Sequence, residues 1–308
     1  MAFTALDVKN LRERTGCGMM DCKKALTDSD GNMEQAVEYL REKGLAAVAK
    51  KSGRIAAEGV VYAASDIAKK LGVVVEVNAE TDFVAKNESF QAFVKNVANV
   101  ILAENPADVD ALLLCKMDGA TVADALQEKV LVIGENIKIR RFARFEGVCA
   151  AYVHGGGTHG VLVEFATSDE VAAKPEFTAY GKDVAMQIAA ANPSYLCEAE
   201  VPAEVIEEEK KILLAQIENE ELETKKVKPE QVKVKMVEGK IGKYYKENCL
   251  LDQLFVKDQD ITVAKFTENT AKELGGEIKI TKFVRFEKGE GIEKRADDFA
   301  AEIASLVK

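Results

Sequence analysis

Two histidines, His154 and His159, sit in the stretch "HGGGTH", and they are the only imidazoles in the 308-residue chain. An esterase would use such a glycine run as an oxyanion loop, but the G-x-S-x-G nucleophile elbow occurs nowhere. The glycines suit a hairpin turn that needs positive φ. As metal ligands the two histidines lack a cysteine or carboxylate at ligand spacing, and Cys17 and Cys22 flank "GMMD" without a second pair. No metal site is expected. No G-x-x-x-x-G-K-[ST] loop occurs, and no G-x-G-x-x-G fingerprint leads from a strand into a helix, so no nucleotide cofactor is expected either. The many carboxylates form no readable pair. The chain does not read as an enzyme.

What remains is a set of apolar residues in conspicuous places. "TGCGMMDC" offers Met19 and Met20 just after two glycines, in a loop between helices. Adjacent methionines fill cores, and flexible thioethers also suit an adaptable binding surface. Phe83 is the second case, in "NAETDFVAKNESF". Ahead of it "GVVVEV" reads as a buried strand. Behind it Phe90, Phe93, Val94, Val97, Val100 and Ile101 fall at helical spacing, with Asn87 as cap. Phe83 therefore lies in the turn, either as a helix-entry contact with Asp82 as N-cap or as a side chain aimed at a partner.

The elements that position these residues come next. The first 54 residues read as three short helices. Thr4 and Asp7 form a capping box, Gly16 stops the first helix, "MMDCKKALTD" is the second, and Asn32 caps the third, which Gly44 ends. So small a core suits a binding unit. "AAVAKKSGRIAAEG" then reads as a linker.

A duplication follows. "EGVVYAASDIAKKLGVVVEV" (58–77) aligns without a gap on "EGVCAAYVHGGGTHGVLVEF" (146–165), each a strand–turn–strand. The helices after them correspond, 93–106 against 180–193, and each unit closes on the same strand, "IKIRRFARFE" (137–146) and "IKITKFVRFE" (278–287). The fold class is α+β: two duplicated core subdomains with small antiparallel sheets and helices on one face. The units run 55–145 and 146–289, and "CKMDGATVADALQEKV" (115–130) reads as filler between helices. The second copy holds extra residues, a charged helical hairpin at about 198–248. Val205, Ile206, Ile212, Leu213 and Ile217 form one side of its apolar seam, and Val232, Met236, Ile241 and Tyr244 the other. It either packs on its own subdomain or serves as an association surface, including pairing of two copies. Residues 290–308 place Ile292, Phe299, Ile303 and Leu306 on one face of a terminal helix, which packs on its own domain or docks on a partner.

The composition is that of an ordinary globular protein, 47% hydrophobic and 31% charged. No apolar run approaches the roughly 18 residues of a membrane span. The N-terminus is a charged helix pattern, not a signal peptide. Six scattered cysteines fit reduced thiols and a cytoplasmic setting. A net charge of −10 argues against direct nucleic-acid binding.

Five motifs occur in order along most of the chain: "LRERTGCGMMDCKKAL", "VNAETDFVAKNESF", "YVHGGGTHGVLVEF", "VAMQIAAANP" and "RFEKGEGIEK". Together they closely resemble the bacterial translation elongation factor Ts family. Cys17 stands where many relatives have alanine. The resemblance implies a ubiquitin-associated-like helical module over 1–54, two related core subdomains, a hairpin insert and a C-terminal helix. It implies guanine-nucleotide exchange on elongation factor Tu, the GTPase that delivers aminoacyl-tRNA. By resemblance, Thr81, Asp82, Phe83 and Val84 enter that partner's nucleotide domain, where Phe83 wedges between helices and shifts the elements that hold Mg²⁺. Arg12, Met19 and Met20 would grip a neighbouring helix, with Phe299 and Ile303 of the terminal helix adding to the contact. His154 would touch another domain of the same partner.

Overall fold

The structure, a computed structural model, describes residues 3–224 and 227–293. The chain begins with α1 (Ala5–Thr15), α2 (Met19–Asp28) and α3 (Met33–Lys51). Local signals set their ends. Asp7 N–H donates to the Thr4 hydroxyl while the Asp7 carboxylate accepts from Thr4 N–H at 2.7 Å. Gly16, at φ 68°, closes α1, and Asn32 Oδ1 accepts from the N–H groups of Glu34 and Gln35. Val8, Leu11, Cys22, Leu26, Ala36 and Leu40 are the small shared core.

Helix α3 does not stop at Gly44, and residues 45–51 are helix where a linker is expected. The reason is tertiary. Gly44 is buried, and a Cβ there would lie 3.8 Å from both Gln127 O and Leu131 Cδ2. Packing outweighs the roughly 1 kcal/mol that glycine costs inside a helix.

The first core half holds β1 (Glu58–Asp66), β2 (Leu71–Ala79), α4 (Asp82–Ala85), α5 (Glu88–Glu104), α6 (Val109–Leu114), β3 (Lys116–Met117), β4 (Ala120–Thr121), α7 (Val122–Ile133) and β5 (Lys138–Glu146). The stretch 115–130 is thus not filler. It makes the β3–β4 hairpin and most of α7, and the α7 residue Leu131 packs into the core of the helical module. The second half holds β6 (Val148–His154), β7 (His159–Thr167), α8 (Asp169–Ala172), α9 (Pro175–Ala191), α10 (Ala203–Thr224), α11 (Glu230–Asn248), β8 (Leu254–Phe255), β9 (Asp258–Thr262), α12 (Val263–Leu274) and β10 (Ile278–Glu287).

Both halves carry one three-stranded antiparallel sheet, ordered β1–β2–β5 and β6–β7–β10. Even the irregularities repeat: β5 bulges at Arg140 opposite Glu76, and β10 at Thr281 opposite Glu164. One face of each sheet packs under its helices, around Phe90, Val97 and Ile101 in one half and Phe177, Val184 and Ile188 in the other. The opposite faces pack on each other through Val61, Val74, Cys149, Leu162 and Phe286. The layers are helix, sheet, sheet, helix.

The insert is a helical hairpin, α10 against α11, with Leu213, Ile217, Val237 and Ile241 buried in its seam. Ile212 and Val232, expected in that seam, are exposed. Its root is closed by Ser194 and Tyr195 N–H groups donating to Asn248 O. Among the described residues no helix is long and apolar enough to cross a membrane. Residues 290–293, where the expected terminal helix begins, are not helical, and Ile292 N–H closes a turn on Gly289 O at 3.0 Å. The rest of that helix, with Phe299 and Ile303, lies outside the described residues, which end at Glu293.

Candidate functional site

The segment from Glu80 to Asn87 turns the chain from the central strand of the first sheet into its main helix. Val84 and Ala85 are buried in the core below, the Asn87 side chain accepts from Phe90 N–H at 3.2 Å, and Gln91 Nε2 donates to Ala85 O at 3.1 Å. These contacts leave α4 a short, well-anchored tip with Phe83 on its outer side, 81% exposed. The helix-entry contact is therefore excluded. Asp82 is not the N-cap. Thr81 holds that position with extended backbone, and Asp82 pairs with Lys86 at 2.6 Å. The hydrogen bond from Lys86 and its charge hold the Asp82 carboxyl below its ordinary value.

Thr81 does not cap α4 with its hydroxyl either. That hydroxyl donates to Glu135 Oε1 at 2.7 Å, and the N–H groups of Glu80 and Thr81 both donate to Glu135 Oε2 at 3.0 Å. Glu80 Oε1 in turn accepts from Asn136 N–H at 2.6 Å, and Asn136 Nδ2 donates to Arg54 O at 2.7 Å. No local sequence signal marks Glu135, Asn136 or Arg54 as a partner of this segment.

The duplication supplies an internal control. In the second half, α8 follows β7 as α4 follows β2, and Val171 and Ala172 are buried as Val84 and Ala85 are. The residue in the place of Phe83 is Glu170, also exposed. The fold builds this short helix without an aromatic side chain.

Met19 and Met20 are not in a loop: they are the first two residues of α2, 59% and 73% exposed, while Cys22, Ala25 and Leu26 of the same helix face inward. Arg12 is exposed on α1. Leu6, 62% exposed on α1, is a further apolar surface residue that the sequence pattern did not single out; it falls off the stripe of Val8 and Leu11. His154 ends β6 at a turn in which Gly155, Gly156 and Gly157 have φ of 59°, 64° and 100°. It is exposed, with Tyr152 Oη 3.0 Å from its Nδ1. Gly157 sits against the first sheet, where Val61 N–H donates to its carbonyl at 2.8 Å. Among the described residues no three His, Cys, Asp or Glu side chains are placed to share a metal ion.

These residues do not line one pocket. Arg12, Met19 and Met20 lie on the helical module, Thr81–Val84 on the first core half and His154 on the second. An exposed phenyl ring, two exposed thioethers and a surface imidazole, spread over three parts of the chain, suit contact with a large partner.

The family described as Elongation factor TS matches residues 80–290. Elongation factor Ts of Clostridium perfringens (strain ATCC 13124) is 53% identical over 310 residues, covering 99% of this chain and 99% of the relative. The Syntrophotalea carbinolica protein of the same name is 50% identical over 316 residues, with all of both chains covered. That of Trichlorobacter lovleyi is 48% identical over 313 residues, covering 99% of this chain and 98% of its own. With the duplicated sheets and the anchored tip described above, these matches show that the chain belongs to the translation elongation factor Ts family.

Proposed function

We propose that this chain is a guanine-nucleotide exchange factor for elongation factor Tu, and that it makes and breaks no covalent bond itself. It binds the GDP-loaded partner, dislodges Mg²⁺ from that partner's nucleotide site and so promotes GDP release. The observation that carries this reading is Phe83: exposed, on a helix anchored from below, at a position where the duplicate half has Glu170.

The physics is differential binding. GDP is held by a phosphate-binding loop and by Mg²⁺ bridging phosphate oxygens, so displacing the metal weakens an electrostatic clamp. Whatever loosens GDP must bind the GDP-loaded partner more weakly than the empty one by the same factor. A shift of about 10⁴-fold needs about 5.5 kcal/mol of coupling. Burying one phenylalanine supplies about 1.5–3 kcal/mol. Phe83 cannot act alone. Asp82 is exposed beside it to meet the partner, whereas Val84, expected there too, is buried in this chain's own core and Thr81 is tied to Glu135, so these two support the tip.

Arg12, Met19 and Met20 of a gripping module over residues 1–54 then hold a helix of the partner, and His154 touches another of its domains. Residues 55–145 and 146–289 are the two halves of the body that carries these contacts. The test is release of a fluorescent GDP from purified elongation factor Tu, with and without this chain. Accelerated release supports the reading. Binding with an unchanged GDP off-rate would instead mark the chain as a scaffold.

A further inference from the structure

The carboxylate of Glu135 reaches the approach to the tip from a different part of the chain. It takes the N–H groups of Glu80 and Thr81, which lie beyond the last ladder residue of β2, together with the Thr81 hydroxyl. Three donors on one carboxylate fix the direction in which the chain leaves the sheet. Glu135 is itself fixed. It follows Gly134, the left-handed cap of α7 at φ 86°, and α7 packs on the helical module through Leu131.

The second half does without this arrangement. Its counterpart of Gly134 is Gly275, the cap of α12 at φ 70°, so the counterpart of Glu135 is Gly276. There Ser168 caps its own short helix, accepting from Val171 N–H at 3.3 Å. A side chain at Gly276 would meet Val171 Cγ2 at 2.5 Å. The half that carries Phe83 has the carboxylate strut. The half that carries Glu170 has neither. The same turn is closed by Ser168 in one half and by Glu135 in the other.

We infer that Glu135 is a positioning residue for exchange, holding the Phe83 helix at a set angle to the body through Glu80 and Thr81. The inference rests on reading Phe83 as the working side chain. A tip free to swing loses the preorganisation that lets contact energy be used at the partner.

The experiment uses the full chain and elongation factor Tu loaded with a fluorescent GDP. Glu135→Ala should lower the maximal stimulated release rate about tenfold, while the concentration for half-maximal effect shifts less. Thermal unfolding should stay close to the parent, and amide exchange at Glu80 and Thr81 should quicken. Glu135→Gln should restore the rate, because its amide oxygen accepts from both N–H groups and its NH₂ donates to the Thr81 hydroxyl. If the alanine variant does not fold, Glu135→Asp, which keeps the charge but shortens the reach, decides on the same readouts.

A parental rate in Glu135→Ala beside a slowed Phe83→Ala would overturn the inference and leave the reading of the tip standing. Parental rates in both would remove that reading, and the inference with it. A slow alanine variant that Gln does not rescue, with unchanged exchange at Glu80 and Thr81, would also count against the strut.

Discussion

The carboxylate of Glu76 accepts the backbone N–H of Gly289 at 2.8 Å, across 213 residues of chain. Glu76 is fully buried on the central strand of the first sheet, and Gly289 lies in the turn that follows the last strand of the second. Arg140 and Arg141 complete the joint, at 3.0 Å and 2.6 Å from the carboxylate, and both also reach into residues 287–290. Gly289, at φ 69°, has no room for a side chain, since a Cβ there would stand 2.2 Å from Ala57 O.

This joint predicts an acid-sensitive contribution to stability. Burial alone would raise the Glu76 pKa, but hydrogen bonds from Gly289, Arg141, Asn78 and Arg140 outweigh it and hold the group below its ordinary 4.5. A carboxyl lowered in the folded state stabilises fully above its unfolded pKa and loses that contribution as pH falls through the folded value. Glu76→Gln should cost about 3 kcal/mol at neutral pH. Its stability should also fall less steeply than the parent's as pH drops below the ordinary carboxyl value of 4.5. Urea titrations at several pH values check both; parallel curves for parent and variant would contradict the assignment.

The packing of the two sheets makes a second prediction. Gly72 and Gly160 are counterparts in the two copies, and each faces the other sheet. A Cβ at Gly72 would lie 2.5 Å from Leu162 Cδ1 and 2.9 Å from Cys149 Cβ; one at Gly160 would lie 2.4 Å from Val61 Cγ1. Gly72→Ala and Gly160→Ala should each cost about 1–3 kcal/mol by overpacking. Gly72→Ala and Leu162→Ala combined should cost less than the two measured separately, because the second change vacates space the first needs. Thermal denaturation of the four proteins gives the coupling.

The helical module makes a third, on binding with stability held fixed. Met19 and Met20 are largely exposed, so replacing both by alanine should change stability by about 0.5 kcal/mol or less. If they grip the partner as proposed, the half-saturating concentration for exchange should rise about tenfold or more, since burying a methionine contributes about 1.5–3 kcal/mol. Unchanged half-saturation would place the grip elsewhere on the module.

Much of the scaffold was legible because its signals are short-range or repeat. Thr4, Asn32 and Asn87 act on backbone groups within three residues, so a cap can be read where it stands. The duplicated strands and the helix of Phe90, Phe93 and Val97 follow from periodicity. Helix α3 beyond Gly44 was not legible, since burial against α7 decides it and nothing local does. The role of Glu135 was hidden for the same reason: its partner Thr81 is 54 residues away. The equivalence of Phe83 and Glu170 lay just past the gapless repeat. Residue 58 pairs with 146, but Asp82 pairs with Asp169, one residue short of the same spacing. The sequence held that comparison; the matching short helices made it plain.

The most direct test exchanges Phe83 for the residue its own duplicate carries. Phe83→Glu should fold as the parent does, because Val84 and Ala85, which anchor the helix, have buried counterparts beside Glu170. In a stopped-flow measurement of fluorescent GDP leaving elongation factor Tu, stimulated release should be about ten- to a hundredfold slower than with the parent. Release as fast as the parent's, from a variant with parental thermal stability, would contradict the role proposed for Phe83.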